Sequence, residues 1–60
     1  MKLERKVNLG GYQSMAFTSS EHPTVQECAR DLIAQMLPMT QSYPTVRGVV
    51  EELRKAYSVT

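Results

Sequence analysis

Val7-Asn8-Leu9-Gly10-Gly11-Tyr12-Gln13-Ser14-Met15-Ala16-Phe17 is the stretch on which the fold turns. Leu3, Arg5, Val7 and Leu9 alternate with Glu4, Lys6 and Asn8, and Met15 and Phe17 alternate with Ser14, Ala16 and Thr18. A period of two is the signature of a strand, and the glycine pair between the two runs signals a hairpin. Parity separates the possible registers. A two-residue loop at Gly10-Gly11 sets Leu9 opposite Tyr12 and turns Met15 and Phe17 away from Val7 and Leu9. A three-residue loop, Gly10-Gly11-Tyr12, pairs Val7 with Met15 and Arg5 with Phe17, gathering the apolar side chains on one face. The odd loop is preferred, with a glycine supplying the left-handed residue of a bulged turn. One long bent strand with a glycine bulge is the alternative.

Downstream the period changes. Thr24-Val25-Gln26-Glu27 has the form of a capping box, and Pro23 forces His22 into extended backbone. Val25, Cys28, Ala29, Leu32, Ile33, Met36 and Leu37 then form one helical stripe, which Pro38 ends at about Leu37. Pro44-Thr45-Val46 repeats the Pro-Thr-Val start, with Thr45 as the cap and Gly48 where a capping box would have Glu. Val46, Val49, Val50, Leu53, Ala56 and Tyr57 make the second stripe. Arg47–Glu51 and Glu51–Lys55 are spaced as i,i+4 pairs. The expected architecture is α+β: a hairpin (about 3–9 and 13–18) packed on two amphipathic helices (about 24–37 and 45–57), in one small domain over residues 1–60.

Sixty residues bury only ~60% of the surface an unfolded chain exposes, so such domains lean on a disulfide, a metal or oligomerisation. Cys28 is the sole cysteine and His22 the sole histidine, so no metal site, cofactor or disulfide is expected. A homodimer is the remaining solution, joined edge to edge through the short sheet. A lone thiol suits a reducing, cytoplasmic setting. No apolar run reaches the ~20 residues of a membrane span, and the charged start lacks a signal-peptide core.

Seven Lys/Arg against six Asp/Glu leave a net charge of +1, too little for a global nucleic-acid-attracting field. Locally, Lys2, Arg5, Lys6, Asn8 and Tyr12 offer cations for phosphate, an amide for a base edge and a ring to stack. Met36, Leu37, Met39 and Tyr43, with Arg47 in the first turn of the second helix, offer an adaptable patch for a partner, and core filling or a dimer seam is the favoured account of the apolar four. His22 reads as a solvated loop residue and Cys28 as a buried small hydrophobe; no third group is evident to orient a Cys28/His22 dyad. No catalytic residue is assigned. The expected function is a small non-enzymatic protein, an adaptor or inhibitor that binds another, unidentified protein through an apolar patch or a free sheet edge. A small dimeric nucleic-acid-binding regulator is the alternative.

Two resemblances bear on this. A strand followed by two helices resembles the ribbon-helix-helix repressors, which read the major groove with paired strands. The outward residues Ser14, Ala16 and Thr18 are poor base readers, however, and the extra N-terminal strand does not belong to that layout, so it is set aside. Lys6-Val7-Asn8-Leu9-Gly10-Gly11-Tyr12-Gln13-Ser14-Met15 resembles the opening of small uncharacterised proteins carried by phages and plasmids, with Gly11 where those have a more polar residue. That resemblance implies a mobile-element origin and no particular activity.

Overall fold

The computed structural model describes residues 1–59 and has the order ββαα. Strands β1 (Glu4–Gly10) and β2 (Gln13–Thr18) form an antiparallel hairpin. Val7 pairs with Met15 and Arg5 with Phe17, as parity required, so the segment is a hairpin and not a bent strand. The expected three-residue loop takes a tighter form. Gly10 pairs with Gln13, the irregularity lies between Asn8 and Gly10, and only Gly11 and Tyr12 make the turn. Leu9 is the extra residue that keeps the apolar faces in register. Gly10 (φ 105°) and Gly11 (φ 59°) supply the left-handed backbone, and the Asn8 side-chain oxygen accepts from the Gly10 N–H at 3.0 Å.

Helix α1 (Val25–Met36) starts at Thr24, whose Oγ1 accepts from the Glu27 N–H at 3.2 Å. Only this half of the capping box forms; the Glu27 carboxylate lies instead 4.0 Å from His22 Nδ1. The α-helix ends at Met36, because Pro38 has no N–H to continue the ladder. Leu37–Met39 tighten into a 3₁₀ turn, with the Thr40 N–H and Oγ1 both donating to the Leu37 carbonyl.

Helix α2 (Pro44–Ala56) begins before the Thr45 cap expected from the repeat. Tyr43 takes the cap position without a side-chain bond, and Pro44 occupies the first turn, where its fixed φ fits and no N–H is needed. The expected i,i+4 pairs also give way: Glu51 accepts from Arg54 Nη1 at 3.3 Å, three residues on, and Arg47 makes no ion pair among the described residues. The helix closes on a left-handed residue with the 6→1 bond characteristic of a Schellman motif. Ser58 is left-handed (φ 54°), and the Val59 N–H donates to the Arg54 carbonyl at 2.9 Å.

The core gathers Val7 and Phe17 from the hairpin, Ala29, Leu32, Ile33 and Met36 from α1, Val46, Val50 and Leu53 from α2, and Val59 after it. Helix α2 lies beneath β1, and α1 beneath β2. Ser19 is buried yet satisfied: its Oγ accepts from the Leu3 N–H and donates to the Ser20 carbonyl, while its N–H donates to the Leu3 carbonyl at 2.8 Å. No helix among the described residues is long and apolar enough to cross a membrane.

Candidate functional site

Both helices cover one face of the hairpin, and the other face is bare. Glu4, Lys6 and Asn8 of β1 and Ser14, Ala16 and Thr18 of β2 alternate outward and are all exposed. At the tip, Lys6, Asn8, Gly11, Tyr12, Gln13 and Ser14 line a shallow cavity of about 420 Å³. Tyr12 is fully exposed. The structure thus brings together three of the five residues singled out for nucleic acid, Lys6, Asn8 and Tyr12. It adds Ser14, which period-two parity alone could have flagged because it faces Asn8 across the ladder, and Gln13, whose opposite parity hides it and which joins the lining where the strand leaves the turn. Lys2 is exposed ahead of β1. Arg5 leaves the group: it shares the inward parity of Val7, and its Nη2 donates to both carboxylate oxygens of Glu52 on α2.

The second set disperses as well. Met36 is wholly buried and belongs to the core, since it falls on the inward stripe of α1. Met39 and Tyr43 are half-buried against that core. Leu37 is 47% exposed, and Arg47 is exposed on the outer side of α2. With Met36 inside the core and Arg47 exposed on α2, the five do not share one surface.

His22 is not simply solvated. Its Nε2 stands 2.9 Å from Asp31 Oδ2, and Glu27 lies on the Nδ1 side. Asp31 also accepts from Gln35 Nε2 at 2.9 Å and from the Ser20 N–H at 2.7 Å, and Gln35 Nε2 reaches the Thr18 carbonyl at 3.0 Å. Hydrogen bonds from Gln35 first, then His22 and the Ser20 amide, hold the Asp31 carboxyl well below the usual carboxylate range. An ionised carboxylate only accepts, so Nε2 carries the proton. The network ties the β2–α1 connection to α1. Cys28 has no exposed surface, and its Sγ donates to the Met1 carbonyl at 3.3 Å. Its thiol is therefore held apart from solvent, while His22 is engaged by carboxylates. No cluster of three His, Cys, Asp or Glu able to hold a metal ion occurs among the described residues.

The sheet edges differ in chemistry. Leu3 and Ser19 face each other as a hydrogen-bonding pair. By antiparallel alternation Arg5/Phe17 and Val7/Met15 share ladder bonds, while Ser14, Ala16 and Thr18 turn their amides away from β1. The Thr18 carbonyl, facing outward, is the one Gln35 caps. Strand β1 is guarded by Glu4, Arg5 and Lys6, the charged residues that discourage edge pairing. Strand β2, Gln-Ser-Met-Ala-Phe-Thr, has neither charge nor proline. Its free stretch is Ser14 to Ala16, beyond the reach of Gln35.

Comparison with protein-family models, with curated proteins and with solved structures finds no match to this chain.

Proposed function

We propose that this chain is a small non-enzymatic interaction protein, an adaptor or inhibitor, that takes an extended segment of another protein onto the open edge of β2. The observation that carries this reading is the contrast between a charged β1 and an uncharged, proline-free β2 with outward amides at Ser14 and Ala16. Main-chain bonds along such an edge supply affinity, and alternate side chains supply selectivity. A homodimer is the simplest complex of this type. The solitary buried thiol suits a cytoplasmic protein, and the resemblance of residues 6–15 to phage- and plasmid-borne proteins supports a mobile-element origin.

The test is capture after nuclease treatment, comparing the native chain with Ala16→Pro. The Ala16 N–H points away from β1, so proline there removes no hairpin bond but blocks the edge. Loss of the captured protein with Ala16→Pro, and its retention with Leu37→Glu, supports strand addition. Equal capture by the native chain and Ala16→Pro overturns it.

A second reading is favoured by the cavity at the hairpin tip: a single nucleic-acid strand, its base stacked on Tyr12, its edge met by Asn8 or Gln13 and its phosphate by Lys6. That reading requires oligonucleotide binding that weakens steeply with salt and is lost in Tyr12→Ala. No binding at low salt removes it.

A further inference from the structure

We propose that, until a partner segment displaces it, the occupant of the β2 edge is a second copy of this chain, with the two β2 strands antiparallel about a two-fold axis through Met15; this rests on the strand-addition reading above. The register follows from which amides are free. Ser14 and Ala16 present their N–H and C=O groups outward, whereas the Thr18 carbonyl is already taken by Gln35. A two-fold axis at Met15 sets Ser14 of each copy opposite Ala16 of the other, and each such pair exchanges both of its main-chain bonds. An axis at Ala16 would instead need Thr18 and would compete with Gln35.

The side chains agree with this register. Met15 is 40% exposed, the one large apolar residue of β2 left uncovered, while its neighbour Phe17 is buried. On the axis, the two Met15 side chains meet in a close, non-hydrogen-bonded pair and cover each other. Strand β2 has no charge, so no like charges are opposed when it meets its own copy. Growth stops at four strands, because the outer edges are then the two β1 strands with Glu4, Arg5 and Lys6. A closed, isologous dimer results.

Single cysteines in a Cys28→Ala background test the register, with sedimentation of the cysteine-native chain from micromolar to millimolar concentration. Met15→Cys is expected to form a covalent dimer under mild oxidation, because the Cα atoms of such a pair stand about 4.5 Å apart, within disulfide reach. Ser14→Cys and Ala16→Cys cross-link with each other when mixed, and each alone reacts about tenfold more slowly than Met15→Cys, being off the axis. Met15→Lys, at a half-open position whose hairpin partner is the apolar Val7, raises the dimer dissociation constant about tenfold or more, because the two-fold axis sets the two lysines directly opposite each other. A native chain that remains monomeric throughout, or equal cross-linking at all three positions, overturns the dimer. Amide exchange tells this failure from that of the parent reading. Slowing at Ser14 and Ala16 on adding a captured protein to a monomeric chain leaves strand addition standing and removes only the second copy. Fast exchange at both amides under every condition removes both.

Discussion

The Arg5 guanidinium joins β1 to α2 through one nitrogen: Nη2 lies 3.0 Å from Glu52 Oε1 and 2.9 Å from Oε2, across 47 positions of sequence. Both side chains retain substantial exposure, so the pair has a modest value. A double-mutant cycle of Arg5→Ala and Glu52→Ala is expected to give a coupling of about 0.5 kcal/mol, within the usual range for exposed ion pairs, and to shrink in high salt. Denaturant unfolding of the four proteins measures it. Oligonucleotide binding at the hairpin tip, where it occurs, is expected to respond more to Lys6→Ala than to Arg5→Ala, because Arg5 is already engaged.

Asp31 contributes to the acid limb of stability. Its carboxyl titrates below the usual range in the folded chain because Gln35, His22 and the Ser20 amide stabilise the ionised form. Stability from this site is therefore present above the ordinary carboxylate pKa of ~4 and is lost as pH falls toward the lower folded value. Asp31→Asn is expected to be less stable than the native chain at neutral pH, with the difference narrowing on acidification. Urea midpoints across that range provide the measurement, and a gap that widens in acid contradicts the assignment.

Ser58 ends α2 in a left-handed conformation that L side chains adopt at a cost. Ser58→Gly is expected to stabilise the fold by about 0.5–1 kcal/mol while leaving the Val59 bond to Arg54 in place. Thermal unfolding reads this directly.

Met36 and Leu37 are neighbours with opposite roles. Met36→Ala leaves a void in the core and is expected to cost about 2–5 kcal/mol. Leu37→Ala, at a half-open site, falls nearer the surface range of about 0.5 kcal/mol. Comparable losses from the two changes would contradict the division of the Met36–Arg47 group drawn from the structure.

Elements legible in the chain were those settled by short-range periodicity. An even spacing between Val7 and Met15, with glycines between, admits one register that puts the apolar residues together. Thr24 with Glu27 marks the start of α1, and Pro38 marks its end. The candidate surfaces were read less well, because a list of residue types does not say which face the core claims. By residue type Arg5 belongs with the surface cations, yet its parity with Val7 turns it toward α2; Met36 serves patch or core by type, and its place on the α1 stripe assigns it to the core. The Pro-Thr-Val repeat suggested Thr45 as a cap, but Pro44, which lacks an N–H, fits inside the first turn and drew the helix start back.

The sequence by itself determined the α+β layout, the hairpin register and the apolar stripe of each helix, because those depend on backbone geometry and side-chain alternation over a few residues. Only the tertiary structure decided that His22 meets Asp31, that Arg5 meets Glu52, that Ser19 extends the ladder to Leu3, and that β2 keeps an open edge while Gln35 caps its end. Each of these relationships joins elements whose approach is set by how the hairpin seats on the two helices. Local pattern does not encode that seating; packing of Val7 and Phe17 against Leu32, Val46 and Val50 does.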